Sequence, residues 1–303
     1  MITLERLTKR FGARTAVDDL SAEITAGSVT GFLGPNGAGK STTMRMILGL
    51  DRPTSGRALI GGRPYQELRY PLREVGALLD AKALHPGRRA RTHLRALARS
   101  HGIPAARVDD VLEMVGLGGV ERQRAGTFSL GMSQRLGIAA ALIGDPGILL
   151  FDEPVNGLDP DGVLWIRTLI RSLAAEGRTV FVSSHLMSEM ELMADQLVVI
   201  GRGRLIAHAP VAEVIAASSQ AAVVVRGPDH ERITGLGRHL AAAGARVESE
   251  EEGRLLVSGA PIEDVGLAAH RLGVPLFELS SRRASLEQAY MELTADSAQF
   301  TAS

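Results

Sequence analysis

The chain has 303 residues with 34 Lys and Arg against 34 Asp and Glu, so no overall charge draws it to nucleic acid or to an anionic membrane. An apolar fraction of 45% is enough to fill the cores of one large domain and a smaller one. The absence of cysteine excludes disulfides, thiolate chemistry and Cys-ligated zinc.

MITLERLTKRFG lacks the apolar core of a signal peptide, and no stretch reaches the roughly 18 uninterrupted apolar residues of a membrane helix. A cytoplasmic protein that reaches a membrane only through a partner is expected. Strand patterns at Ile2–Leu4, Ser21–Ile24 and Val29–Leu33 precede a glycine-rich loop, and a helix follows over Lys40–Leu48. From Leu84 to Gly144 strand signals disappear, and helical patterns at Ala90–Ser100 and Ala105–Val115 predict an inserted helical subdomain over about 84–144. Alternation then resumes with strand Ile148–Phe151, helix Gly162–Glu176, strand Thr179–Ser183 and helix Met187–Ala194, which implies a mostly parallel sheet covered on both faces. Leu197–Ile200 and Arg204–Ala207 read as a closing hairpin.

Small and polar residues at 216–221 predict a linker between a first domain over 1–215 and a second over 222–303. The second reads strand Ala222–Arg226, helix Glu231–Ala243, strands Arg246–Ser249 and Arg254–Ser258, helix Ile262–Leu272, strand Pro275–Leu279 and helix Leu286–Leu293. That β-α-β-β-α-β order is ferredoxin-like.

GPNGAGKS at Gly34–Ser41 sits between a strand and a helix, the context a P-loop requires. Gly34, Asn36, Gly37 and Gly39 let successive N–H groups face phosphate oxygens, and the following helix adds its positive end. Lys40 supplies a point charge toward the β and γ phosphates, Ser41 a hydroxyl ligand for Mg²⁺, and Thr42 a further phosphate contact. Asp152 and Glu153 end an apolar strand, where two adjacent carboxylates are costly without a cation or a task. Asp152 fits a Mg²⁺ partner and Glu153 the group that polarises an attacking water; a solvated loop after the strand is the plainer alternative. His185 lies just past another strand end, at the sheet edge where ligands bind, and is either a satisfied structural histidine or, taken with the other motifs, the group that holds the γ-phosphate and Glu153 in register. Ser129 and Gly131 open a helix, where a hydroxyl and an N–H make either an anion site or an ordinary N-cap.

The order GPNGAGKST, SLGMSQR, ILLFDEP, GLDP, SSH resembles the ATP-binding subunit of an ATP-binding cassette (ABC) transporter over residues 1 to about 215. The resemblance implies a P-loop NTPase cassette of α/β class that hydrolyses ATP with Mg²⁺. It implies head-to-tail pairing with a second copy, ATP lying between one P-loop and the other subunit's signature turn. Ser129 and Gly131 would then contact ATP across the dimer, and Asp159 would couple the two sites. It also implies a separate polytopic membrane permease and a place at the cytoplasmic face of the membrane. Phe11 stands where the family stacks an aromatic residue on adenine, and Asp80 where it commonly has a glutamine that contacts Mg²⁺.

Ser129-Leu130-Gly131-Met132 departs from the usual Ser-Gly-Gly-Gln and resembles the ABC-2 exporter branch, which includes antibiotic self-resistance systems such as daunorubicin export. The segment Ser285–Thr294 resembles the C-terminal extensions of that branch. Arg88, Arg89, Arg91, Arg95 and Arg99 form either a solvated basic face or a permease docking surface. The alternative function is a soluble ABC-type ATPase acting on ribosome or DNA. A single P-loop and the absence of sustained heptads favour the transporter, with no nucleic acid among the expected partners.

Overall fold

The computed structural model describes residues 1–81, 83–218, 222–250, 253–282 and 284–294. They fall into two compact units, Met1–Ala209 and Pro210–Ser303.

The first unit is organised by a sheet in the order β5-β6-β7-β3-β8-β9, comprising β3 (Val29–Leu33), β5 (Val75–Leu78), β6 (Ile148–Asp152), β7 (Thr179–Ser183), β8 (Gln196–Gly201) and β9 (Arg204–Pro210). The pairs β5–β6, β6–β7, β7–β3 and β3–β8 are parallel. Every residue of β3 and β7 is buried, as strands covered on both faces must be. Phe32 and Phe181 stack across these neighbours with ring centroids 4.9 Å apart. Because the strands are parallel, the Gly34 loop, Asp152–Glu153 and Ser183–His185 all emerge at one edge of the sheet. The closing hairpin β8–β9 turns through Arg202 and Gly203, both at positive φ, as a two-residue type I′ turn demands.

A second, antiparallel sheet of order β2-β1-β4 joins β1 (Ile2–Phe11), β2 (Arg14–Ile24) and β4 (Ser55–Ile60). β1 and β2 run much further than the alternation predicts. The ladder between them shifts register between Leu4 and Leu7, where Arg6 adopts φ 49°, and that bulge breaks the period-2 pattern. β4 went unread in the sequence because it opens on Ser-Gly-Arg and buries only Ala58, Leu59 and Ile60.

Helices α1 (Lys40–Ile47) and α2 (Pro71–Glu74) flank β4 in the chain. Between β5 and β6, helices α3 (Ala90–Ser100), α4 (Ala106–Met114) and α5 (Leu130–Leu142) pack together as the inserted helical region. α3 buries Ala90, Leu94 and Ala98, a stripe at i, i+4, i+8. α6 (Pro160–Ala175) and α7 (Met187–Met193) complete the unit.

The second unit contains α8 (Val211–Ala216), β10 (Ala222–Arg226), α9 (His230–Ala242), β11 (Arg246–Glu250), β12 (Arg254–Ser258), α10 (Ile262–Arg271), β13 (Glu278–Arg282) and α11 (Leu286–Thr294). Its antiparallel sheet has the order β11-β12-β10-β13, the ferredoxin-like arrangement. Val223, Val225, Leu255 and Val257 pack with Ile233, Leu236 and Val265 from α9 and α10. This unit begins at Pro210, ahead of the expected boundary near 215, because α8 packs against α11. Residues 219–221 of the expected 216–221 linker, and 295–303 of the expected second domain, lie outside the described residues. The last strand is Glu278–Arg282 and not Pro275–Leu279. Proline cannot donate to a ladder, and Leu276 packs against the core while pairing with β10 starts at Glu278.

Candidate active site at the edge of the parallel sheet

The Gly34 loop delivers α1 with its first turn open. Its N-cap is Gly39 at φ 108°, no side chain caps the helix, and no acidic residue lies in the first turn. A Cβ at Gly39 would sit 2.5 Å from the Ala16 carbonyl oxygen, so only glycine fits there. The unspent N–H groups and the positive helix end are what a polyphosphate requires. Lys40 is buried, with Nζ donating to the Gly34 carbonyl at 2.6 Å and lying 4.0 Å from Glu153 Oε1. Burial lowers its pKa, while Glu153 and Asp152 pull in the opposite direction. A phosphate group would add a further negative charge beside this ammonium.

The two carboxylates are held by Ser183, a fully buried residue at the end of β7. Its register partner on β6 is Asp152. The Ser183 hydroxyl donates to Asp152 Oδ1 and accepts from the Glu153 N–H at 2.9 Å. Glu153 adopts φ 50°, a conformation side-chain-bearing residues seldom take, so the chain turns sharply between the two acids. Gln134 of α5, itself buried, donates to the carbonyls of Glu153 and Pro154 at 3.3 and 2.7 Å and braces that turn. His185 Nδ1 lies 2.8 Å from Glu153 Oε2. With the carboxylate accepting, Nδ1 is the donor and the imidazole orients Glu153.

A cleft of about 440 Å³ is lined by Phe11, Asn36, Gly37, Gly39, Lys40, Ser41, Thr42 and Glu153, joined by Arg14 and Ala16. Phe11 is half exposed, with Lys9 Nζ 4.9 Å over its ring, and its other surface is available to a planar base. Ser41 and Asp152 are oxygen donors of the kind Mg²⁺ takes alongside substrate phosphates. Asp80 lies two residues beyond β5 at the same sheet edge but is not part of the cleft wall.

Ser129, Gly131 and Asp159 are also absent from that wall. Ser129 caps α5, its Oγ accepting from the Met132 N–H at 3.2 Å, and is exposed. Asp159 caps α6, accepting from the Gly162 N–H at 2.9 Å. Within one chain both serve as helix caps, and the two turns pack on each other: Leu130 lies against Gly157, and Leu158 against Gly131.

Sequence reasoning missed Ser183 and Arg14. Ser183 was visible only as a letter in SSH, because its role depends on the β6–β7 register. Arg14 follows Phe11 in sequence and comes within 3.5 Å of where a Gly37 side chain would begin. A larger cavity, about 700 Å³, lies in the second unit beside Arg246 and Arg282, but it holds no glycine loop and no paired carboxylates. The glycine loop and Glu153 line the smaller cleft.

The ABC transporter family model matches residues 17–156, which span the glycine loop, the Ser129 turn and both carboxylates. The bacitracin transport ATP-binding protein BcrA of Bacillus licheniformis is 44% identical over 207 residues, 67% of this chain and 68% of its own. The chain belongs to the ATP-binding proteins of ABC transporters. As such it is an ATP-binding and ATP-hydrolysing transporter subunit.

The Nod factor export ATP-binding protein I of Burkholderia orbicola is 33% identical over 97% of this chain and 96% of its own, so this likeness extends through both units. Among solved structures, the dimeric post-hydrolysis ATP-binding cassette MJ0796 bound to ADP and Pi superposes with a TM-score of 0.64. It is 25% identical and covers 69% of this chain and 98% of its own. A domain family of unknown function matches residues 221–287, within the ferredoxin-like unit of this ABC protein.

Proposed function

We propose that this chain is the ATPase of an exporter, working as a pair of copies that close on two ATP molecules and drive a separate polytopic membrane permease. The carrying observation is the Lys40–Glu153–His185 arrangement: a buried ammonium 4.0 Å from a carboxylate that an imidazole holds from its other oxygen. Gly34, Asn36, Gly37, Gly39, Lys40 and Thr42 hold the phosphates, and Phe11 stacks on the base. Ser41 and Asp152 would hold Mg²⁺, with Asp80 at the same sheet edge; when bound, the cation would supply neutralising charge for the transferred phosphoryl group. Glu153 accepts the proton of the attacking water, and His185 keeps it aimed. Ser129 and Gly131 of one copy complete the phosphate site of the other, and Asp159 links the two. Two helix caps left exposed at the surface of a single chain support that reading.

Likeness to bacitracin transport and Nod factor export proteins supports a small-molecule, drug or lipid-like cargo of the antibiotic-resistance type. No helix among the described residues is long and apolar enough to cross a membrane. The reading gives the permease to a separate chain, with this one at its cytoplasmic face. The test is Mg²⁺- and ATP-dependent dimerisation of Glu153→Gln, followed by gel filtration. A dimer formed only with both ligands is expected; a monomer at saturating Mg·ATP overturns the paired site.

A further inference from the structure

Trp165 is the only tryptophan in the chain. It lies on α6, the helix that Asp159 caps, and Arg135 stacks on it with Cζ 3.9 Å from the ring centroid. Arg135 belongs to α5, the helix that Ser129 caps, and its Nη1 also donates to the Val115 carbonyl at the end of α4, at 2.9 Å. One guanidinium therefore joins three helices. Neither residue lines the ATP cleft.

The tip of α5 also meets the loop that leads into α6. Leu130 Cδ2 occupies the space a Cβ at Gly157 would need, so the leucine side chain rests directly on that backbone, where φ is 71°. Leu130 and Arg135 are five positions apart, roughly 7 Å along the α5 axis. The apolar contacts at the tip, Leu130 on Gly157 and Leu158 on Gly131, tie α5 only to the loop ahead of α6 and would let it pivot against α6 itself. A second attachment further down removes that freedom.

We propose that Arg135 and Trp165 are positioning residues: their stack locks α5 to α6, so that the Ser129–Gly131 turn and the Asp159 loop face a second copy as one rigid surface. The proposal rests on the shared-site reading given above. A cation over an indole face is the strongest of the protein cation–π pairings, and in the dimer it occurs once per copy. Loss of the stack affects closure and turnover, not the capture of nucleotide by a single chain.

The experiment uses the full chain. Because Trp165 is the sole tryptophan, its fluorescence reads the stack directly, and Arg135→Met is expected to change its emission while leaving the thermal unfolding cooperative. An unchanged spectrum overturns the stack. In the Glu153→Gln background, Trp165→Leu is expected to raise the ATP concentration for half-dimerisation about three- to fivefold. In the otherwise unaltered chain it should lower kcat, with the single-chain affinity for a fluorescent ATP analogue unchanged. Trp165→Phe, which keeps an aromatic face, should restore most of both. Unchanged dimerisation and kcat in a folded Trp165→Leu protein overturn the positioning role, as does a Trp165→Phe protein no better than Trp165→Leu. Failure of the Glu153→Gln parent itself to dimerise, with the fluorescence response intact, overturns the shared-site reading and the surface role with it, but leaves the stack standing.

Discussion

Glu153 owes its position to backbone more than to side chain. At φ 50° it departs from the strand it terminates, and the turn survives because Ser183 binds its N–H and Gln134 its carbonyl. The carboxylate is thereby offered to Lys40 on one oxygen and His185 on the other. Glu153→Gln keeps the shape and the His185 contact but cannot take a proton, so ATP still binds while steady-state phosphate release falls about 10²–10⁴-fold. Arg14 is expected to serve binding and not chemistry. It lines the cleft beside Gly37, where its charge would meet phosphate oxygens. Arg14→Ala is expected to weaken ATP affinity about tenfold with kcat retained, measured by titration with a fluorescent analogue. A loss of kcat at saturating ATP would contradict that division of labour. The glycine loop and the acid pair could be read from the letters, since each is a local pattern with local chemistry. The function of Ser183 could not, because a strand register decides it.

At the scale of elements, α3 carries a half-buried titratable group. His93 is half-buried, and its ring Nδ1 is buried without a hydrogen-bond partner among the described residues. Burial, then the positive charge of Arg88, hold its pKa below the ordinary value of 6.5. In the window between that lowered pKa and 6.5 the unfolded chain binds more protons than the folded one. Stability is therefore full above 6.5 and is lost as pH falls through the folded-state pKa. His93→Leu cannot protonate, so its melting temperature should fall less than the parent's between pH 8 and pH 5, read by parallel thermal unfolding. Helix α3 itself was predictable to the residue from its alternating arginines and alanines, because an amphipathic stripe is a sequence property. β1 and β2 were underestimated for the opposite reason: the bulge at Arg6 is a pairing property and leaves no periodic trace. The last strand was misplaced by three residues because PLFEL is apolar enough to pack without pairing.

For the whole molecule, the question is how ATP-driven closure reaches a permease, and the helical region carries the basic face expected to meet it. The structure divides that face. Arg91 pairs with Asp109 of α4 at 2.5 Å and serves to join two helices, so reversing its charge would damage the subdomain and prove little. Arg95 and Arg99, one and two turns further along α3, are exposed, and no ion pair engages them among the described residues. They point away from the buried stripe of Ala90, Leu94 and Ala98, so their replacement leaves the packing intact. The double variant Arg95→Glu and Arg99→Glu is therefore the discriminating one. Exposed charges of this kind act through steering and register, and their influence weakens as salt rises. The isolated double variant is expected to hydrolyse ATP at the parental rate and to unfold at the parental temperature. Co-purification with the permease should fall severalfold at low ionic strength, and stimulation of the ATPase by the permease should fall with it. Unaltered co-purification at low salt would make these arginines a solvated face and move the docking surface elsewhere on the helical region.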